Sequence, residues 1–178
     1  MQNSAKKPVA IITGASRGVG AATALLLASK GWNVTITCSS TIKEAKEVAK
    51  LCEAYDVEAL AIQADVSDNT DCKNTIDQTV KKWGRIDALI NNAGTTKFAW
   101  DHSNLDLLDA EDFQKVYGVN LIGPFQMIKA SKEFLMKSDN PSITNVSSIA
   151  GIKGIGSSIA YAASKGALNT MTISMARN

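Results

Sequence analysis

Short apolar runs alternate along the chain with longer stretches in which apolar residues recur every three or four positions. Runs with the length and composition of buried strands cover residues 8–13, 33–37, 58–63, 86–91 and 142–147. Stretches with helical spacing cover residues 18–30, 42–55, 69–83, 110–137 and 159–176. Because each strand is followed by a helix, the pattern predicts a parallel sheet with helices packed on both faces.

The predicted fold class is α/β, a doubly wound parallel sheet of the Rossmann type, formed by a single domain over residues 1–178. The first helix is predicted to carry Val19, Ala22, Leu25 and Leu26 on one face. In this fold the strand order reverses between the first and fourth strands, and ligands bind outside the carboxyl ends of the strands near that reversal. Residues that directly follow strands are therefore the first candidates for a functional site.

Composition excludes several classes of protein. The net charge of +2 is too small to indicate nucleic-acid binding, and no apolar run approaches the roughly 20 residues of a membrane helix. A single histidine, His102, excludes zinc centres built from two or three imidazoles, and we interpret it as a surface loop residue. The three cysteines lack CxxC spacing, which argues against a disulfide framework and fits a reducing compartment. We therefore predict a cytoplasmic protein without nucleic-acid or membrane partners.

A glycine-rich turn, TGASRGVG, occupies residues 13–20 directly after the first predicted strand. Glycines permit the sharp turn from strand to helix and let the backbone approach a pyrophosphate closely. The helix that begins near Gly18 directs its free amides and the positive end of its dipole to the same point. The turn predicts a nucleotide site, and an ordinary structural turn is the alternative.

Residues 91–94, with the sequence NNAG, follow the fourth predicted strand. Because the first and fourth strands are neighbours at the reversal, this segment should face the glycine-rich turn. Its small residues would let a cofactor lie close to the backbone. Taken alone, the segment is more typical of a structural turn than of a site.

Tyr161 and Lys165 lie four residues apart in the last predicted helix, and Ser148 follows the fifth strand. Side chains at that spacing share one helix face, with β-carbons about 6 Å apart. A phenol has a reference pKa near 10 and exchanges protons poorly at neutral pH. An ammonium about 4 Å away would favour the phenolate by roughly 4 kcal/mol, about the amount that neutral-pH proton transfer requires. A half-buried core tyrosine beside a surface lysine is the alternative.

Together these segments resemble the short-chain dehydrogenases/reductases. The resemblance rests on TGASRGVG, NNAG, Asn120 in the long helix, Ser148 and the Tyr-Ala-Ala-Ser-Lys segment at 161–165, in the family's order and spacing. It covers the chain from about residue 9 onward. It implies an NAD(P)-dependent enzyme that transfers hydride between a nicotinamide and a small-molecule carbonyl or secondary alcohol.

The resemblance also implies a role for each matching residue. Tyr161 would be the general acid in reduction and the base in oxidation, and Lys165 would make it more acidic and bond the nicotinamide ribose. Ser148 would bond the substrate oxygen, and Asn120 would hold a water that links Lys165 to solvent. The implied cofactor contacts are Gly14, Ser16, Arg17, Gly18, Val19, Gly20, Ser39, Ser40, Asp65, Val66, Asn91, Ala93, Gly94, Tyr161 and Lys165.

The end of the second strand predicts NADP(H) in preference to NAD(H). NAD-binding folds usually carry an acidic residue about 20 positions after the glycine turn, where it bonds the ribose 2′-hydroxyl. Here no carboxylate stands in this region before Glu44. Ser39 and Ser40 can donate hydrogen bonds to a 2′-phosphate, and Arg17 or Lys43 can pair with its charge.

The chain departs from the family after the helix that carries Tyr161. Nothing in it resembles the family's sixth and seventh strands or the loop that closes the substrate pocket, so we expect residues 142–147 to form an uncovered apolar edge. A truncated gene product, a disordered remainder, or a partner chain that completes the sheet would each account for this, and we favour the first two. We expect such a chain to bind cofactor weakly and to turn over slowly.

Two other interpretations of function stay open. One is the narrower activity of a 3-oxoacyl-(acyl carrier protein) reductase, in which Lys129, Lys132 and Lys137 would face an acidic carrier protein. The other is a non-catalytic nucleotide-binding fragment that acts with other chains. The resemblance also implies a homo-oligomer, a dimer or tetramer, formed through the long helix and the last helix. The loop at residues 95–109 is expected either to border the substrate pocket or to be a packed surface loop.

Overall fold

A computed structural model describes residues 7–177 of the chain. The parallel sheet has the order β3-β2-β1-β4-β5. Its strands are β1 (Val9–Ile12), β2 (Asn33–Cys38), β3 (Ala59–Gln63), β4 (Ala88–Asn91) and β5 (Ser142–Asn145). The order reverses at β1, which pairs with β2 on one side and with β4 on the other. The doubly wound parallel sheet is therefore confirmed, and most strands are one or two residues shorter at an end than the pattern predicts.

Helices cover both faces of the sheet. Within residues 7–177 they are α1 (Gly18–Ser29), α2 (Ile42–Glu53), α3 (Asn69–Trp83), α4 (Ala110–Tyr117), α5 (Gly123–Leu135), α6 (Ala150–Lys153) and α7 (Ile159–Ala176). The sequence pattern does not reveal α6, because a helix of one turn is too short to show a periodic apolar face. In the part of the chain that the structure describes, no helix has the length and apolar character needed to span a membrane.

The core lies on both sides of β1, whose successive side chains point to opposite faces of the sheet. Ile12 is fully buried in a cluster that includes residues of α1 and α2. Ile11 is fully buried in a second cluster, which includes Ile76 of α3 and Met127 of α5. Each such side chain contributes about 1.5–3 kcal/mol when it leaves water. This two-sided burial fixes the plane of the sheet and places the loops after β1 and β4 side by side.

The buried face of α1 differs from the predicted one. Val19 and Leu26 are 66% and 60% exposed, whereas Gly20, Ala24 and Ala28 form the buried side of the helix. The prediction was wrong because α1 is apolar around most of its circumference, so periodicity could not separate its two sides. Small residues face the sheet, and this lets the helix lie close to the strands at the point where the glycine-rich turn begins.

The long helix predicted over residues 110–137 is interrupted. A turn of π-helix at Gly118–Ile122 separates α4 from α5 and carries the fully buried Asn120. The prediction of one continuous helix was wrong because an apolar repeat of three or four residues tolerates one extra residue in a turn. Single π turns are frequent at functional sites, where they redirect a side chain.

The outer edge of β5 is uncovered, as the sequence predicts. Within the described residues β5 pairs only with β4, and Ile143 is 45% exposed. A groove of about 860 Å³ runs beside this edge and is lined by α5 and the end of α7. The edge presents unpaired backbone groups and apolar side chains together, a combination that favours association with another strand.

Asp87, which precedes β4, joins three parts of the chain below the sheet. Its carboxylate is buried and accepts hydrogen bonds from the amide of Val9 at 2.8 Å, the Nη2 of Arg85 at 2.7 Å and the Oγ of Ser138 at 2.6 Å. Burial raises the pKa of this carboxyl, but the hydrogen bonds from Arg85, Ser138 and Val9 outweigh it, so the pKa lies below its usual range. The ionised carboxylate therefore stabilises the fold.

We expect Asp87→Asn to lower the free energy of unfolding at neutral pH by about 2 kcal/mol, because the charge-assisted hydrogen bonds are lost. Since the pKa of Asp87 is lowered in the folded state, its contribution is present above the unfolded-state value and is lost as pH falls through the folded-state value. The variant should therefore show a weaker loss of stability below about pH 4. Urea unfolding at several pH values measures this, with Asp77→Asn, at an exposed position of α3, as a control that should match the wild type. An unchanged midpoint for Asp87→Asn at neutral pH would contradict it.

Candidate active site

Two loops meet at the carboxyl end of the sheet, beside the reversal in strand order. Gly14 has a φ of +62°, and a β-carbon there would lie 2.8 Å from the Cα of Ala93. Only glycine permits this backbone conformation and this close approach without strain. The Nδ2 of Asn92 donates to the carbonyls of Thr13 at 2.8 Å and Gly14 at 3.0 Å. The predicted juxtaposition of the glycine-rich turn and the NNAG segment is therefore observed.

A cleft of about 470 Å³ opens between these loops and the end of β2. Nine of the predicted cofactor contacts line it: Gly14, Ser16, Arg17, Ser39, Ser40, Asp65, Val66, Ala93 and Gly94. Sequence reasoning missed a second group of lining residues: Thr37, Cys38, Thr41, Glu44, Ala64, Asn92, Thr95, Lys115 and Val119. Most of these adjoin predicted positions in the chain, so only Lys115 and Val119 needed the tertiary structure to be found.

Six predicted cofactor contacts do not line this cleft: Tyr161 and Lys165 line an adjoining cavity, and Gly18, Val19, Gly20 and Asn91 line neither space. Gly18 and the exposed Val19 begin α1, and at Gly20 a β-carbon would lie 2.5 Å from the Nδ2 of Asn92. Gly20 thus lets the helix pack on the second loop. Asn91 is 2% exposed and its Nδ2 donates to the Oδ1 of a β5 asparagine at 2.9 Å, so it links β4 to β5.

Tyr161 and Lys165 line an adjoining cavity of about 540 Å³. Asn92, Gly94 and Thr95 border both this cavity and the glycine-loop cleft, so the two spaces meet along the NNAG segment. The start of α7 is fixed because Ser158 caps it, accepting a hydrogen bond from the amide of Tyr161 at 3.1 Å. Tyr161 is half-buried, as in the alternative of a core tyrosine beside a surface lysine, but Lys165 is buried and not on the surface.

Lys165 is the buried cation of this site. It is 4% exposed, its Nζ donates to the carbonyl of Val146 at 2.8 Å, and it lies 5.9 Å from the centre of the Tyr161 ring. Within the described residues it forms no ion pair with a carboxylate. Burial lowers the pKa of Lys165. A buried ammonium without a counter-ion destabilises a fold, so its presence beside a tyrosine points to a role in chemistry.

Asn120 lies beside the same lysine. Its Oδ1 accepts from the amide of Thr95 at 2.8 Å, and its Nδ2 donates to the carbonyl of Thr95 at 2.9 Å and to the Oγ of Ser164 at 2.9 Å. A β-carbon at Gly94 would lie 3.5 Å from the Oδ1 of Asn120 and 3.7 Å from the Nζ of Lys165. The π turn, the NNAG segment and α7 therefore converge on one point.

Ser148 occupies a different position from the other predicted catalytic residues. Its Oγ accepts a hydrogen bond from the amide of Ala150 at 3.1 Å, at the start of α6. The neighbouring Ser147, which sequence reasoning did not single out, lines the cavity of Tyr161, and its Oγ donates to the carbonyl of Lys165 at 3.2 Å. The structure thus brings Tyr161, Lys165 and Asn120 together and leaves Ser148 beside the group.

The strand reversal, the glycine-loop cleft and the adjoining tyrosine–lysine pair define an α/β protein with a candidate ligand site at the topological switch point. The family model described as short chain dehydrogenase matches residues 8–178. The chain belongs to this family, as its motifs predict.

Individual relatives agree with this assignment. A 3-oxoacyl-[acyl-carrier-protein] reductase from Synechocystis is 36% identical over 95% of this chain. A solved structure from Burkholderia xenovorans, described as a short-chain dehydrogenase/reductase, superposes with a TM-score of 0.93 at 47% identity, covering 98% of this chain and 73% of its own. The structure of NAD⁺-bound xylitol dehydrogenase superposes with a TM-score of 0.86 at 30% identity, and the match covers 94% of this chain and 63% of that chain. The chain spans only 64% and 67% of the length of two curated relatives that it matches.

Proposed function

We propose that residues 1–178 form the cofactor-binding and proton-transferring domain of an NADP(H)-dependent oxidoreductase that acts in the cytoplasm on carbonyl compounds or secondary alcohols. The observation that carries the proposal is the shared border of two cavities. Tyr161 and Lys165 line one of them, the glycine-rich turn lines the other, and Gly94 borders both. A dinucleotide along this border would place its reactive ring beside a proton donor.

The residues present fit a dinucleotide. The volumes of the two cavities, about 470 and 540 Å³, suit a ligand of that size when combined. Gly14 keeps the floor of the cleft free of side chains where it packs against Ala93, and the exposed Arg17 provides a cation at its rim. A bound nicotinamide would supply or accept the hydride. The protein would supply the placement and the proton.

Proton transfer is assigned to the residues around Tyr161. In reduction the Tyr161 hydroxyl donates its proton to the carbonyl oxygen, and the phenolate that remains is stabilised by the ammonium of Lys165. Asn120 holds the loop that faces this lysine and, by resemblance, the water that returns a proton to it. Ser148 is proposed to hydrogen-bond the substrate oxygen, for which its Oγ retains donor capacity beyond the bond from Ala150.

The preference for NADP(H) follows from the charges around the end of β2. Arg17, Ser39 and Ser40 line the cleft and can bind a 2′-phosphate, whereas Lys43 is not among the lining residues. Glu44 lines the same cleft and opposes a phosphate, and its charge raises the pKa of the Cys38 thiol in addition to the effect of burial. We infer that the cation and hydroxyls outweigh the single carboxylate, because they can contact the phosphate directly.

Two charge-neutralising substitutions test the cofactor preference. Arg17→Gln should weaken NADPH binding about tenfold and NADH binding much less, because a charge-assisted hydrogen bond to the 2′-phosphate is lost. Glu44→Gln should instead strengthen NADPH binding relative to NADH binding, because a carboxylate that repels the 2′-phosphate is removed. Binding titrations of both cofactors on each variant measure the effect. Tighter binding of NADH than NADPH by the wild type would contradict the proposed preference.

Loss of NADPH absorbance in the presence of ketones, aldehydes and acetoacetyl thioesters tests the activity itself. Oxidation of NADPH with any of these compounds, or reduction of NADP⁺ with the corresponding alcohols, supports the enzyme. If no compound reacts in either direction, the proposed activity is rejected. The thioesters test the narrower 3-oxoacyl-(acyl carrier protein) reductase activity, which the Synechocystis relative favours.

We also propose a homo-oligomer that uses α5 and α7, which expose Phe125 and Ile173. Light scattering determines the number of subunits.

A further inference from the structure

The loop between β4 and α4 holds two aromatic side chains outside the core. Phe98 and Trp100 are 67% and 69% exposed, and their ring centroids lie 5.4 Å apart with an interplanar angle of 30°. Ala99 between them is only 4% exposed, so the backbone of this segment is packed while both rings face outward. Paired aromatic surface of this kind is typical of ligand-binding sites, because apolar rings gain most when a ligand covers them.

The aromatic segment is tied to the residues that precede α7. The amide of Ala99 donates to the carbonyl of Ser157 at 2.7 Å, and the hydroxyls of Thr96 and Ser157 lie 2.6 Å apart. His102, predicted to be a plain surface residue, is half-buried and its Nε2 lies 3.2 Å from the carbonyl oxygen of Gly156. Three contacts therefore hold the backbone segment that carries the two rings before any ligand binds.

These contacts place the rings at the cavity of the proposed proton donor. Phe98 lines the cavity that Tyr161 and Lys165 line. A β-carbon at Gly156 would lie 3.9 Å from the Cδ1 of Tyr161, so the segment that anchors the aromatic loop also flanks the tyrosine. Phe98 is therefore one wall of the space in which a carbonyl group would meet the Tyr161 hydroxyl, and Trp100 extends this wall outward because its ring lies against that of Phe98.

The chemistry of the wall indicates which substituent it would accept. Among the described residues that line the cavity, Lys165 is the charged one, and its 4% exposure and its bond to Val146 keep it from a substituent at the rim. Lys97, next to Phe98, is paired with Asp112 at 3.2 Å. Among the described residues the rim therefore offers an apolar ring surface, and the cation next to it in sequence is paired with a carboxylate, which disfavours an anionic substituent.

We propose that Phe98 and Trp100 bind the substituent of the carbonyl substrate, and that this substituent is apolar, an aryl or bulky alkyl group carried by a ketone. The inference rests on the proposed function, since it names the substrate class for the same site. It makes both aromatic residues determinants of specificity, which contact the substrate away from the reacting atoms.

The test compares acetophenone with acetone, two methyl ketones that differ only in the phenyl group. In Phe98→Ser/Trp100→Ser, kcat/KM for acetophenone divided by that for acetone should fall by about tenfold or more. The value for acetone and the affinity for NADPH should stay within about threefold of the wild type. Leu105→Ser is the matched control, because Leu105 is also 69% exposed in this loop and does not line the cavity. Its ratio should equal that of the wild type.

An unchanged ratio in the double variant, or an equal loss for both ketones, would overturn the proposal. If the wild type reduces neither ketone, the wall is tested by binding alone, and the panel of carbonyl compounds decides the proposed function separately. Saturation-transfer NMR should detect acetophenone on the wild type in the presence of NADPH, and the signal should be lost in the double variant and kept in Leu105→Ser. A signal of equal strength in wild type and double variant, or none in the wild type, would reject the wall independently of turnover.

Discussion

Tyr161→Phe is expected to reduce kcat/KM for carbonyl reduction by about three orders of magnitude or more, while the affinity for NADPH stays within about threefold. The substitution removes only the hydroxyl that would donate the proton, and the ring that lines the cavity is kept. Since Tyr161 is half-buried and its backbone is held by the Ser158 cap, the variant should fold normally. Steady-state kinetics and a cofactor titration on the same preparation separate the two effects.

Tyr55→Phe is the matched control for this experiment. Tyr55 is 50% exposed after the end of α2 and lies outside both cavities, so its hydroxyl should be dispensable. If Tyr161→Phe retained most of the wild-type rate, the assignment of the general acid would be wrong. If the variant lost NADPH binding together with its rate, the tyrosine would be a cofactor-binding residue whose loss says nothing of proton transfer.

Lys165→Met is expected to abolish turnover to a similar extent and, at the same time, to raise the free energy of unfolding by about 1–2 kcal/mol. The stability gain follows because an ammonium that is 4% exposed and has no carboxylate partner in residues 7–177 is replaced by an apolar chain of similar length. The lost hydrogen bond to Val146 offsets about 1 kcal/mol of that gain. A residue that destabilises its own fold in this way is retained for function.

The pH dependence of stability provides a second readout for Lys165. Burial lowers its pKa in the folded state, so between that value and the unfolded value near 10.4 the unfolded chain binds more protons. Wild-type stability should therefore gain from this group as pH rises through that window, and Lys165→Met should lack this gain. Urea unfolding at neutral and alkaline pH measures it, with the exposed Lys46→Met as control. A marked loss of stability in Lys165→Met at neutral pH would contradict the account.

The sequence predicts the sheet well because parallel strands that are buried on both faces are nearly continuous apolar runs, without the polar positions that a solvent-exposed face would require. Periodicity fails where the conformation or the buried face of an element is decided by residues that are distant in sequence. The apolar residues of α1 occur on both sides, and only the close approach of Gly20 to the second loop decides that Ala24 and Ala28 face inward. The π turn at Asn120 is equally hidden, since hydrogen bonds to Thr95 and Ser164, distant in sequence, hold it in place.

The site residues, too, can be predicted where they are close in sequence and not where contacts between distant segments decide. Tyr161 and Lys165 could be paired from their spacing alone, because one helix places both side chains on one face. The fold was needed to show that Lys165 is buried without a counter-ion among the described residues and that Lys115 and Val119 line the cofactor cleft. It was also needed to show that the Ser148 Oγ accepts a hydrogen bond from the amide of Ala150 at the start of α6, because that short helix leaves no periodic signal.

The most direct test of the central claim follows the hydrogen itself. NADPH with deuterium in both positions at C4 of its nicotinamide is incubated with this chain and acetophenone, and the alcohol is analysed by mass spectrometry. The account predicts 1-phenylethanol with one deuterium on the carbinol carbon, formed by the wild type and not by Tyr161→Phe. An alcohol without deuterium, or equal deuterium transfer by both proteins, would contradict hydride delivery at a site where Tyr161 donates the proton.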